Sequence, residues 1–313
     1  MLTGRSGVRD WTRRSAMAWL ALSGVRAPDS ATAGSPLVVA SKSDTEGALT
    51  GAMIAQVLEK LNLPVLRKLG LGPTLIVRNS LLSGEISIYP EYTGNGAFFT
   101  GTETDPIWKS PQGAYDTIRR RDAERGLAWL TRAPANNTWL IAVNGDLARR
   151  EHLTTMTDFA GAVRRGLIRL AASTEFVESP AALPAFEAAY GFALPLNRII
   201  SLPGGDTSVT ARAAAQGISG VNAGMVYGTD GALAALDLVV MSDPLDAQIV
   251  YEVAPVIRQA DLARHPEIAP ALARVFTRLD AETLRRLNAR ITVDGDVAEA
   301  VAARYLSKNG LLP

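Results

Sequence analysis

Residues 37–60 read LVVASKSDTEGALTGAMIAQVLEK, and this stretch contains the first two elements of the predicted fold. The apolar run at 37–40 is typical of a buried strand. Apolar residues between Leu49 and Leu61 then recur at helical spacing. Ser43 followed by Glu46 has the spacing of a capping box, so the helix is predicted to begin there.

The same alternation continues over the next thirty or so residues. A second strand is predicted at 65–69, and a Gly-rich turn at 70–73 leads into a helix that ends near Gly84. A third strand at 86–89 ends at Pro90. Strand, helix, strand, helix, strand in this order predicts an open, mostly parallel sheet.

A second α/β unit follows a polar break at 134–137. After Tyr251 the apolar stripes predict helix to the end of the chain. The predicted strands are 140–143, 167–172, 225–227 and 238–241, and the predicted helices are 153–163, 183–190 and 209–216. Two such units with a helical tail predict a bilobal protein, whose ligand would lie in the cleft beyond the strand ends.

Composition excludes several classes of function. The 313 residues carry 32 basic and 31 acidic side chains, and this net charge of +1 argues against nucleic acid as a partner. Cysteine is absent, and the two histidines, His152 and His265, are expected at exposed helix ends. With no nucleophile motif and no phosphate-binding loop, we expect neither an enzyme nor a bound metal or cofactor.

The first 33 residues resemble a secretory leader. Arginines from Arg5 to Arg14 precede a short apolar run at 16–22, and Ala31-Thr32-Ala33 supplies a small-residue cleavage site. We therefore predict a signal peptide at 1–33 and a periplasmic protein. Arg13-Arg14 leaves the twin-arginine export route open. An amphipathic leader helix or a misassigned start is the alternative.

Four aromatic residues stand at the ends of predicted elements: Tyr92, Trp139, Tyr227 and Tyr251. Together they are suited to forming a cage for a diffuse cation such as trimethylammonium, each ring face contributing about 0.5–2 kcal/mol. A quaternary ammonium has no N–H to donate, so it needs such faces. For any single ring, ordinary core packing is the competing interpretation.

Several strings in the chain resemble one known family. ASKSDTE (40–46), IYPEYTG (88–94), APANNTW (133–139) and YGTDG (227–231) look like segments of the substrate-binding proteins of glycine betaine/choline ABC importers. The resemblance runs from about residue 37 to the C-terminus. It implies an α/β, bilobal type II periplasmic binding protein fold with two mixed open sheets and a hinge crossed twice. The implied lobes are 34–133 with 242–313, and 134–241.

The resemblance also implies a ligand-binding site. The cage positions fall on the four aromatic residues named above, with Trp139 in place of a commoner tyrosine. Lys42 matches a lysine near the ligand carboxylate, Asn95 stands where threonine is common, and Asn137 where Asp or Asn occurs. Ser179 stands where relatives usually carry the arginine that clamps the carboxylate, and Ala181 replaces an acidic residue.

We therefore expect a monomeric binding protein that delivers a quaternary ammonium solute to a membrane permease driven by an ATPase. Without the arginine, trimethylammonium recognition should survive while carboxylate recognition weakens. The alternatives are the same fold binding another polar solute such as an amino acid, an enzyme on this fold, or a sensing domain of a receptor or permease fusion.

Overall fold

A computed structural model describes residues 35–203 and 207–312, and the predicted leader lies outside them. The strands are β1 (Leu37–Lys42), β2 (Val65–Gly72), β3 (Ile88–Tyr92), β4 (Leu127–Trp129), β5 (Trp139–Asn144), β6 (Leu170–Ser173), β7 (Ile199–Leu202), β8 (Ala223–Tyr227), β9 (Leu238–Val240) and β10 (Val253–Arg258). The helices are α1 (Thr45–Lys60), α2 (Thr74–Ser83), α3 (Asn95–Thr100), α4 (Pro111–Ala123), α5 (Gly145–Glu151), α6 (Met156–Arg164), α7 (Thr174–Glu178), α8 (Leu183–Tyr190), α9 (Thr207–Gln216), α10 (Ala232–Ala235), α11 (Gln259–Arg264), α12 (Ile268–Phe276), α13 (Ala281–Thr292) and α14 (Ala298–Lys308). Short 3₁₀ turns occupy Pro106–Lys109, Leu196–Arg198 and Ile218–Gly220.

The strands form two five-stranded mixed sheets. The first has the order β2-β1-β3-β10-β4, with β1 parallel to β2 and β3, and β10 antiparallel to both of its neighbours. The second has the order β7-β6-β8-β5-β9, with β6 parallel to β7 and β8, and β5 antiparallel to β8 and β9. The prediction of an α/β fold with two mixed open sheets is confirmed.

Two segments connect the sheets, at 130–138 and at 241–252. They run side by side, since Asn136 pairs with Glu252 in an isolated antiparallel bridge and Thr138 donates to the Ile249 carbonyl at 2.6 Å. The chain therefore passes twice between the sheets at one place. The lobe boundaries drawn from the resemblance stay a prediction.

The start of α1 differs from its prediction. Asp44, not Ser43, caps this helix, because its carboxylate accepts the Gly47 amide at 2.7 Å. Glu46 takes no part in a capping box and is buried. Its side chain is therefore available for contacts away from the helix.

Two further predictions are wrong. The chain after Tyr251 is not all helix, because β10 intervenes and occupies a position inside the first sheet. The turn predicted at 70–73 is shorter, because β2 continues to Gly72. Helices α12, α13 and α14 then pack against α1, and α13 also contacts α10. The C-terminal tail therefore touches elements associated with both sheets.

A capping box is present at the start of α6, and it offers a simple test of the fold. Thr155 accepts the Asp158 amide at 3.1 Å, and Asp158 accepts the Thr155 amide at 2.9 Å. Hydrogen bonds to the Asp158 carboxylate, the Thr154 amide first and then the Thr155 side chain and amide, hold the pKa of Asp158 below its usual value. We expect Thr155→Ala to lower the free energy of unfolding by about 1 kcal/mol in urea denaturation. Thr277→Ala, which removes only a bond within an exposed helix end, is the control; an equal loss in both variants would contradict the prediction.

Candidate functional site

A cavity of about 480 Å³ is lined by residues near the ends of strands from both sheets and by α13. The structure brings together all seven predicted ligand-binding residues there: Lys42, Tyr92, Asn95, Asn137, Trp139, Tyr227 and Tyr251. Ser179 is not among the lining residues; it follows α7 and is half-buried. Glu175, in the first turn of the same helix, lines the cavity instead.

The four aromatic residues lie at or near the ends of strands. Trp139 begins β5 and lies directly opposite Tyr227 at the end of β8. The ring of Tyr251 is 5.8 Å from that of Trp139, centroid to centroid, at an angle of 59°. Tyr92 ends β3 in the first sheet. The rings therefore reach one cavity from both sheets and from one connecting segment.

The connecting segments position Tyr251 through its backbone. The Tyr251 amide donates to the Asn136 side chain at 2.8 Å, and its carbonyl accepts the Asn137 amide at 2.9 Å. These bonds join the turn that precedes Trp139 to the segment that leads into β10. Trp139 is further supported from behind by Phe176, whose ring meets it edge-on at 6.1 Å.

Lys42 lines the cavity, but its charge is already balanced within the protein. Its ammonium lies 2.5 Å from the fully buried Glu91 carboxylate and 4.9 Å from the centre of the Tyr92 ring. Glu91 also accepts hydrogen bonds from Asn95 and Tyr89, each at 2.7 Å. A ligand carboxylate approaching Lys42 would compete with this network.

Glu46 is one of the cavity residues that the sequence did not predict as site residues. Its carboxylate accepts hydrogen bonds from four side chains on separate segments: Tyr92 (2.9 Å), Asn137 (3.4 Å), Thr229 (2.5 Å) and Asn288 (2.9 Å). Asn288 lies in α13, far along the chain. The sequence does contain an indication of Asn288: it is a polar residue four positions after Leu284, on the apolar face of an amphipathic helix.

Burial dominates the electrostatics of the site. It raises the pKa of Glu46 to about 7, although the bonds from Thr229, Asn288 and Tyr92 act in the opposite direction. Burial, with a smaller contribution from the Glu46 charge, raises the pKa of Tyr92 well above its usual value. Burial likewise raises the pKa of Tyr251 and of Glu175, the latter opposed by Lys42. The phenols therefore stay protonated at neutral pH.

Three buried polar atoms of cavity residues lack a hydrogen-bond partner: Trp139 Nε1, Tyr251 Oη and Asn288 Oδ1. The Trp139 indole is near enough to Tyr227 to lower the pKa of that phenol, against a larger rise from burial, but the two groups do not meet hydrogen-bond geometry. Buried polar groups are normally paired, so these atoms indicate a place where a guest molecule supplies the partner.

Within residues 35–203 and 207–312, no group of three or more His, Asp or Glu side chains is arranged to hold a metal ion. In the same part of the chain, no helix has the length and apolar character needed to cross a membrane.

Comparisons with known proteins agree with this fold. A model of the substrate-binding domain of ABC-type glycine betaine transport systems matches residues 35–308. The glycine betaine-binding protein YehZ of Escherichia coli K12 is 52% identical over 280 residues, covering 89% of this chain and 92% of that protein. A glycine-betaine-binding protein of Pseudomonas aeruginosa is 31% identical over 283 residues, covering 88% of each chain.

A solved structure of apo YehZ from Escherichia coli superimposes with a TM-score of 0.74 at 52% identity, covering 88% of this chain and 99% of the other. The two mixed sheets thus match a known type II binding-protein architecture. The chain belongs to the family of substrate-binding domains of ABC-type glycine betaine transport systems.

Proposed function

We propose that this protein is the solute-binding component of an ABC importer and that it captures a quaternary ammonium compatible solute of the glycine betaine or choline type. It acts in the periplasm as a monomer, after removal of the leader, and hands the solute to a membrane permease driven by a separate ATPase. It performs no catalysis. The observation that carries the proposal is that Tyr92, Trp139, Tyr227 and Tyr251 line a single cavity.

The physical basis is the nature of the ligand's head group. Trimethylammonium has no proton to donate and a charge spread over its methyl groups, so it is bound by the negative faces of aromatic rings in a site that excludes water. A cavity of about 480 Å³ is large enough for such a small solute. The buried tyrosines keep their protons and so remain neutral walls.

Binding is coupled to closure in this proposal. The rings that contact the ligand come from both sheets and from one connecting segment, so the full set of contacts forms only when the sheets approach each other. The ligand therefore stabilises the closed arrangement by its differential affinity for it. The closed, loaded form is the one that the permease would receive.

Ser179 provides a test of ligand choice. We expect choline to bind at least roughly tenfold more tightly than glycine betaine, because a carboxylate without a guanidinium partner loses charge-assisted hydrogen bonds. Introduction of the family's arginine, Ser179→Arg, should reduce this difference.

Isothermal titration with glycine betaine, choline and carnitine measures the three affinities, and Ser179→Gln is the uncharged control. Tight glycine betaine binding that Ser179→Arg leaves unchanged would contradict the prediction. Tight binding of an amino acid, with no binding of these solutes, would overturn the proposed function.

A further inference from the structure

Glu46 is a buried carboxylate in the wall of the cavity. Its side chain projects from the first turn of α1, only 4% of the residue is exposed, and it is one of the residues lining the cavity. Hydrogen bonds from Tyr92 and Asn137 reach one oxygen, and those from Thr229 and Asn288 reach the other. Four donors converging on two oxygens favour the ionised form of a carboxylate.

This carboxylate has no cationic partner. None of the ion pairs within residues 35–203 and 207–312 includes Glu46, and Lys42, which lines the same cavity, is paired with Glu91 at 2.5 Å. Neutral donors lower the cost of burying a charge but do not balance it. The remaining cost is visible in the pKa of Glu46, which burial raises to about 7 despite those donors.

The cavity beside Glu46 is also incomplete in its hydrogen bonding. Trp139 Nε1, Tyr251 Oη and Asn288 Oδ1 are unpartnered, and each of these residues is more than nine-tenths buried. Asn288 uses its amide nitrogen to donate to Glu46 and to the Thr229 carbonyl, which leaves its oxygen unpaired beside the carboxylate. Both the missing charge and the missing hydrogen bonds are of the kind that a small polar guest supplies.

We infer that Glu46 is the counter-charge for the ligand's cationic head, and that the site therefore selects a solute with a net positive charge over a zwitterion carrying the same head. This inference rests on the proposed function. A permanent cation gains the attraction of the Glu46 carboxylate with no repulsion to offset it. A zwitterion brings its own carboxylate into the same field, and repulsion offsets part of that gain.

A second consequence is a proton linkage. A permanent cation lowers the pKa of Glu46, so binding near neutral pH is accompanied by proton release and affinity increases with pH. The other charged or titratable groups around Glu46 do not include histidine. They are Asp44 at the start of α1, Tyr92 and the Lys42–Glu91 pair from the first sheet, Glu175 in α7, Tyr227 at the end of β8, Asp230 after β8, Tyr251 in the second connecting segment, and Arg285 in α13, which donates to the Gly228 carbonyl.

The test is titration calorimetry of the full-length mature protein with choline and with 3,3-dimethyl-1-butanol, the uncharged carbon isostere of choline. For the wild type, choline should bind roughly tenfold more tightly at pH 8 than at pH 6, because a group with a pKa of about 7 is mostly protonated at the lower pH. Buffers of different ionisation enthalpy should report about half a proton released per choline at pH 7. The uncharged isostere should show neither effect.

Glu46→Gln should weaken choline binding roughly 30-fold at pH 8 and abolish the pH dependence. Binding of the isostere should change by less than about threefold. Glu175→Gln is the matched control, because it removes another carboxylate of the cavity wall that makes none of the four hydrogen bonds to Glu46; the pH dependence should persist in it.

The outcomes separate the two claims. Choline binding by the wild type that is independent of pH and releases no proton overturns the role of Glu46 and leaves the proposed function intact; this readout needs no variant to fold. If Glu46→Gln loses equal affinity for choline and for the isostere, Glu46 has a structural role, and the inference that it is the counter-charge is overturned. If no quaternary ammonium compound binds the wild type at all, the proposed function fails and this inference with it.

Discussion

Trp139→Ala should weaken the binding of choline and related solutes roughly 100-fold. Trp139 is paired with Tyr227 across the β5–β8 ladder, and its indole ring lies 5.8 Å from the Tyr251 ring. Its removal deletes one aromatic face and also the surface against which the Tyr251 ring rests. Both losses act on the same ligand group, so the effect should exceed that of a single cation–π contact.

Calorimetry with choline measures this effect, and thermal unfolding of the ligand-free protein shows whether the variant is folded. Trp139→Phe keeps an aromatic face and should recover most of the affinity. Trp129→Ala removes a buried indole of the first sheet that lies outside the cavity. It should lower the unfolding temperature without changing the affinity of the folded protein. Choline binding by Trp139→Ala within about threefold of the wild type would refute the aromatic cage.

Gly231→Ala should lower ligand affinity roughly 100-fold, although it changes none of the side chains proposed to contact the ligand. A β-carbon at this position would lie 2.1 Å from the Ala289 amide nitrogen and 2.5 Å from its α-carbon, which belong to the backbone of α13. Backbone cannot give way as the end of a flexible side chain does. The turn after β8 would therefore have to move away from α13.

That turn and α13 are joined by hydrogen bonds beside the cavity. Arg285 donates to the Gly228 carbonyl at 2.7 Å, and Asn288 donates to the Thr229 carbonyl at 2.9 Å. Because Thr229 and Asn288 also bond to Glu46, separation of the two segments opens the cavity wall. The arrangement that holds the ligand would then be populated only rarely, and apparent affinity falls with that population.

Calorimetry again gives the affinity, and small-angle scattering with and without choline shows whether the protein still becomes more compact. Gly161→Ala is the control, since a β-carbon there meets no atom within 4 Å and the residue lies inside α6. It should bind choline as the wild type does. Wild-type affinity and wild-type compaction in Gly231→Ala would show that the contact with α13 is not needed for binding.

The missed strand β10 shows where periodicity fails. Residues 253–258 read VAPVIR, and a proline inside an apolar run argues against a central strand because it cannot donate to the ladder. In the sheet, Pro255 lies directly opposite Pro90. The two residues that lack a backbone N–H are therefore paired with each other. This pairing is set by the strand register and cannot be read from either segment alone.

The sequence by itself determined the alternation of strands and helices, the family, and which four aromatic residues are candidates for the cage. Hydrophobic period, turn residues and side-chain chemistry are local properties. Only the tertiary structure decided what Glu46 does. Local spacing assigned it to a helix cap, but Asp44 fills that position, and Glu46 instead meets Thr229 and Asn288, which are 183 and 242 positions away. Such bonds depend on how the two sheets and α13 pack, and packing brings together residues whose separation along the chain carries no pattern. The charge balance of the cavity is therefore a consequence of the fold.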